Sequence, residues 1–128
     1  MVKSPRFLIQ AVQAASCSSH NQHRVGCIIY DKKRVISMGH NTPQKSVRSI
    51  TKKFLRWPNS IHAEVDAIIY SRYNLKGCSM LVVRLNKRNE LKYARPCSHC
   101  LAYIVYVGIK KVIYSTGQKE IPFEVINL

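Results

Sequence analysis

Residues 78–85 read CSMLVVRL, an almost unbroken apolar run. A strand of this kind has no face to turn to water, so it belongs inside a sheet that is covered on both sides. Helices must therefore lie above and below it. The rest of the chain supplies them. Ser4 and Pro5 make a helix start, followed by a stripe of Phe7, Leu8, Ala11, Val12 and Ala15. RVGCIIYD and RVISMGHN are two β-rich runs joined through Asp31, Lys32 and Lys33, the pattern of a hairpin. SIHAEVDAIIYSRY, with Ser60 as its cap, places Val65, Ile68 and Ile69 on one helical face. PCSHCLAYIVYVG opens with Pro96 as its first helical residue and stops at Gly108, and KKVIYS and PFEVINL are two further strands.

The order α, β, β, α, β, α, β, β predicts an α/β fold, a five-stranded mixed sheet with helices packed on both faces. Only TGQKEI separates the last two strands. A parallel crossover needs a dozen or more residues, so these strands pair antiparallel. A chain of 128 residues, 46% of them hydrophobic, fits one compact domain over residues 1–128. Charged or polar residues interrupt every apolar run short of the ~18 residues that span a bilayer, which predicts a soluble protein with no membrane partner. The five cysteines are odd in number and not spaced as a disulfide framework, which points to a reducing cytoplasm, or to the host cytoplasm for a viral protein. Cys17, Cys27 and Cys78 fit small buried apolar positions.

Two short motifs carry chemistry. In RPCSHC, Cys97 and Cys100 stand three apart at a helix start, where the dipole and unpaired N–H groups favour thiolates. A redox pair is one reading. A metal site is the stronger one, because residues three apart share a helical face and both sulfurs reach one ion at about 2.3 Å. IHAE supplies a third donor, His62, at the start of another helix. Three protein ligands with a fourth position left for water is the pattern of a catalytic zinc rather than a structural one. Glu64, two residues along, is placed to reach that water rather than the ion. His99 projects off the ligating face, and His20 and His23 fall in a loop as surface residues.

HAE followed by PCSHC resembles the H-x-E and P-C-x-x-C motifs of zinc-dependent cytidine and deoxycytidylate deaminases. The likeness extends over nearly the whole chain, because the element order matches the cytidine deaminase fold. It implies one Zn2+ per chain on His62, Cys97 and Cys100, proton transfer by Glu64, and hydrolytic release of ammonia from a base. It further implies that Asn41 binds the substrate sugar, that the Ala63 backbone meets the base edge and that His40 lines the mouth. Asn41 is equally well placed as a turn residue after a strand. The family's usual dimers or tetramers make a homo-oligomer the expectation.

The base and its attachment are less constrained. Riboflavin-pathway deaminases place extra residues between the two cysteines, which this chain does not; purine deaminases of this kind usually carry glutamate where Arg95 stands, a departure that favours cytosine. Where deoxycytidylate deaminases often have asparagine two residues after the glutamate, this chain has Asp66. A cytosine nucleoside or nucleotide is the first expectation. A net charge of +15 suits a phosphorylated ligand. Arg84, Arg95 and the basic run near Lys52 are candidates to receive a 5′ phosphate. Segment 45–57 is basic and amphipathic, with Val47, Ile50, Phe54 and Trp57 on one side. Its Arg48, Lys52, Lys53, Arg56 and Trp57 could instead grip a nucleic acid strand, the signature of a polynucleotide deaminase. A zinc-stabilised binding module is the third reading, and it leaves Glu64 without a use.

Overall fold

The computed structural model describes residues 5–19, 23–43, 60–71 and 74–128. Helix α1 (Leu8–Ser16) is followed by strands β1 (Arg24–Tyr30) and β2 (Val35–His40) and the short β3 (Thr42–Pro43) and β4 (Ser60–Ile61). Helix α2 (Ala63–Tyr70), β5 (Ser79–Leu85), the two-residue β6 (Leu91–Lys92), helix α3 (Ser98–Tyr106), β7 (Lys111–Ser115) and β8 (Phe123–Asn127) complete the order. The basic segment 45–57, including Arg48, Lys52, Lys53, Arg56 and Trp57, lies outside the described residues, as does His20.

The apolar run is the spine, as its composition demands. The main sheet has the order β2-β1-β5-β7-β8. β5 pairs antiparallel with β1 and parallel with β7, and β7 and β8 pair antiparallel as their short connection requires. β6 adds to the edge of β5 beyond the five expected strands, so the sheet has six. The signal for β6 was only two residues long, too short for an alternation to register.

Alternate residues of β5 feed two cores. Met80 and Val82 pack with Cys27, Ile29 and Val112 beneath α2 and α3, while Leu81, Val83 and Leu85 pack with Ile28 and Ile113 beneath α1. Three layers result, helix on sheet on helix. Two glycines let the helices approach closely. A Cβ on Gly26 would run into the backbone of Ala11 and Ala15 in α1, and one on Gly39 into that of Ala63 and Ala67 in α2. The second contact matters most here, because it seats the first turn of α2 directly against the end of β2.

Three expected helix starts shift. α1 begins only after Phe7, which takes a left-handed conformation with φ 64° while its ring packs 5.3 Å from that of Tyr30. Ser60 is in β4, and His62 is the residue that precedes α2 in an extended conformation. Pro96 is not the first helical residue of α3, because Cys97 takes the extended N-cap position after it. Cys17, expected to be buried, is exposed, whereas Cys27 and Cys78 are buried as apolar residues.

Candidate functional site

The shifted helix starts define the site. His62 and Cys97 are the N-cap residues of α2 and α3, and Cys100 is the third helical residue of α3. N-cap and third positions lie on the same side of a helix start, so both sulfurs face the neighbouring helix. The Nδ1 atom of His62 lies 3.2 Å from Cys100 Sγ and 3.9 Å from Cys97 Sγ. All three donor atoms fall within 4.8 Å of one another. Bonds of about 2.0–2.3 Å around a tetrahedral zinc place ligand atoms about 3.3–3.8 Å apart, which this set matches with small adjustments. His99 is not part of the cluster.

The protonation chemistry also fits a cation. Cys97 is pushed down to about 3, first by the hydrogen bond from the Cys100 thiol and further by the one from His62. Cys100 is pushed far up, first by that same bond to Cys97, then by burial and by the nearby Glu64 carboxylate. The two thiols thus titrate as a pair in which the first proton leaves easily and the second is held. A divalent ion supplies the charge needed for the second to leave. The donors and their spacing therefore form a site for zinc.

Glu64 follows one residue into α2 from Ala63 and is only 5% exposed. Burial raises its pKa first and foremost, so its carboxyl takes up a proton more readily than a solvated one. It borders a pocket of ≈ 270 Å³ together with His62, Cys97, Asn41, Tyr93 and Arg95. Ala63 also lines it. His23, assigned from its loop position to the surface, is a further wall of this pocket.

Asn41 reaches the pocket but is also a structural clamp. Its Oδ1 accepts from the Val25 N–H at 2.9 Å and its Nδ2 donates to the His23 carbonyl at 2.6 Å. One amide hydrogen and one lone pair are left for a ligand. His40 is not among the lining residues; its backbone N–H donates to Asp66 Oδ2 at 3.1 Å, which ties the end of β2 to α2. Arg95 stands exposed at the rim, where its guanidinium donates to the Tyr114 hydroxyl at 3.4 Å and sits over that ring. The Tyr114 hydroxyl in turn donates to Glu124. Arg84 carries a buried Nε with no hydrogen-bond partner among the described residues. It pairs across the sheet with pocket-lining Val25.

Comparison with known proteins agrees with this geometry. The model of the cytidine and deoxycytidylate deaminase zinc-binding region matches residues 1–116. An uncharacterized deaminase of Aliivibrio fischeri is 29% identical over 118 residues, covering 90% of this chain and 73% of that protein. Human deoxycytidylate deaminase is 28% identical over 123 residues; 88% of this chain spans 64% of its length. Among solved structures, the dCMP deaminase of cyanophage S-TIM5 in complex with dCMP and dUMP superposes with a TM-score of 0.63 at 19% identity, over 86% of this chain and 78% of that one.

Proposed function

The chain belongs to the cytidine and deoxycytidylate deaminase family, and on that premise we propose that it hydrolyses the amino group from a cytosine nucleotide, giving the uracil nucleotide and ammonia. The observation that carries this reading is the position of Glu64, buried beside the His62, Cys97 and Cys100 donors on the wall of a pocket. A structural zinc site has no use for a buried carboxylate there.

Zinc held by His62 Nδ1 and the two sulfurs would activate water at neutral pH. Glu64 takes the proton of the attacking water on its carboxylate and delivers it to the base ring nitrogen. A second proton passes by the same oxygen to the departing amino group, which leaves as ammonia. The upward push on its pKa suits a group that must both accept and donate near neutrality. The Ala63 backbone meets the base edge, since N–H groups in a first helical turn have no partner inside the helix. Asn41 offers its remaining amide hydrogen and lone pair to the sugar.

A nucleotide is favoured over a nucleoside by Arg95, whose exposed guanidinium is steadied by Tyr114 at the pocket rim. Arg84 pairs across the sheet with pocket-lining Val25 but does not itself line the pocket, so Arg95 is the better placed of the two. The relatives named for deoxycytidylate and the neighbour bound to dCMP and dUMP support the same preference. Val105 and Tyr106, exposed on α3, provide an apolar surface for the homo-oligomer that the family resemblance implies.

The test is a panel of cytosine, cytidine, deoxycytidine, CMP, dCMP and a single-stranded oligonucleotide, read by ammonia release and by product mass. Turnover on dCMP or CMP above the nucleosides is expected. Turnover confined to the oligonucleotide, or to no cytosine compound, would overturn the proposal. Glu64→Gln should keep bound zinc while losing about 10²–10⁴-fold in kcat. Metal content by mass spectrometry separates that outcome from a collapsed site.

A further inference from the structure

A second pocket lies at the opposite pole of the sheet. It measures ≈ 420 Å³ and is formed where β1 ends and where β5 and β7 begin. β5 runs from Ser79 in this pocket to Arg84, the cross-strand partner of Val25 in the catalytic pocket. At about 3.3 Å per residue the two sites stand roughly 17 Å apart.

Its lining is strongly basic. Arg6, Lys32, Lys110 and Lys111 surround it, against the single carboxylate of Asp31. That carboxylate is already engaged, since Asp31 Oδ1 accepts the backbone N–H groups of Lys33 and Arg34, each at 2.9 Å. The ammonium groups of Lys32, Lys110 and Lys111 have no ion-pair partner among the described residues. Arg6 is held in place, with one guanidinium N–H donating to the Lys32 carbonyl at 2.8 Å and its plane 4.9 Å from the centre of the Phe7 ring. Among the described residues the remaining N–H groups of that fork have no other partner, which leaves them to bind an anion.

The floor is built rather than incidental. Tyr30 and Ser79 are cross-strand partners and are 6% and 4% exposed, so two hydroxyls lie under the ring of cations. Gly77 shapes the rim from a positive φ of 81° and is fixed by its N–H donating to the Gly108 carbonyl at 2.8 Å. Four like charges gathered around one concavity repel one another, and an anion in their midst reverses that cost. A concave site of this size, with a planar guanidinium, ammonium groups and hydroxyls, matches a tetrahedral phosphoryl group.

We propose that this pocket binds the phosphoryl group of a small phosphorylated anion, independently of the catalytic site. Two sources share that chemistry, inorganic phosphate and a phosphate monoester. Backbone amide resonances of the zinc-loaded full chain, titrated with each in turn against sodium chloride of matched ionic strength, test the proposal. Glycerol 2-phosphate serves as the monoester because it carries no base for the catalytic pocket. Saturable shifts at Gly77, Ser79, Lys110 and Lys111 are expected with at least one probe. The tighter of the two identifies the source.

The Lys110→Glu/Lys111→Glu double variant should bind at least about tenfold more weakly, as expected from losing two charge-assisted hydrogen bonds. Lys32→Glu, on a different element, should weaken binding in the same direction. Both should keep wild-type zinc content and dCMP turnover. Non-saturating shifts, equal shifts with chloride, or unchanged affinity in both variants would overturn the site.

Discussion

At the scale of single residues, the cysteine pair is the part of the site most legible in the sequence. The three-residue spacing of Cys97 and Cys100 put both sulfurs on one side of a helix start and turned His99 away, and the structure gathers the two sulfurs with His62 and leaves His99 out. A direct consequence is measurable. Cys100→Ala should lose zinc affinity by more than about 100-fold, beyond the roughly 10–100-fold that outer-shell partners control. His99→Ala should retain its zinc. Equal metal loss in both variants, by mass spectrometry of the purified proteins, would place the ligands elsewhere. What stayed hidden were roles that depend on loops returning from a distance. His23 has no partner at any informative spacing, and it becomes a pocket wall only because Asn41, eighteen residues later, holds its carbonyl. The Asn41 amide ties Val25 to His23 and still has one hydrogen and one lone pair to offer a ligand. Asn41→Ala therefore should lower thermal stability by about 1–3 kcal/mol, through two unpaired backbone groups, as well as raising KM. A rise in KM with unaltered stability would show that the clamp is dispensable.

At the scale of elements, the site depends on how closely α2 lies against β2. The sequence announced the helix through Val65, Ile68 and Ile69, but gave no sign that Gly39 would be the contact point, because a glycine in a strand reads equally as a bulge or a weak residue. In the fold its missing side chain admits the backbone of Ala63 and Ala67, the same turn that carries Glu64. Gly39→Ala should destabilise the protein by about 1–3 kcal/mol through overpacking and reduce kcat, because the helix must move to make room. Wild-type stability in a denaturant titration would refute this account of the seating. The hairpin between β1 and β2 offers a pH-dependent counterpart. The Asp31 carboxylate is held below its ordinary 3.8, first by the Lys33 N–H and then by that of Arg34. A depressed folded-state pKa means that its contribution to stability is present above pH 3.8 and fades as pH falls through the folded value. A carboxyl-carbon NMR titration should place the Asp31 midpoint below 3.8, and a midpoint at or above that value would remove the turn from the hairpin's stabilising features.

At the scale of the whole molecule, the layer order followed from one strand. Residues 78–85 had to be covered twice, and α1 on one face with α2 and α3 on the other cover them. The sheet order β2-β1-β5-β7-β8 was not written so plainly, because strand neighbours are chosen by long-range packing and only the β1–β2 hairpin and the short final connection constrained pairings in advance. The same long-range packing ties folding to the metal. His62 and the two cysteines are 35 and 38 residues apart in sequence and meet only when α2 and α3 dock on one sheet face. An unfolded chain holds no such set, so zinc binds the native state preferentially and stabilises it by mass action. At free zinc ~1,000 times its dissociation constant that linkage amounts to about 4 kcal/mol, or roughly 10–20 °C in Tm for a chain of this length. Stripping the metal with a chelator should lower Tm by that order, re-addition of zinc should restore it, and magnesium should not, since thiolate and imidazole donors discriminate against it. In the Cys100→Ala variant the same zinc concentration should stabilise by no more than about 1.4 kcal/mol, so its Tm response should shrink to about a third or less of the wild-type one. A wild-type Tm that ignores the chelator, in protein shown by mass spectrometry to have lost its metal, would separate the site from the stability of the fold and leave it to catalysis alone.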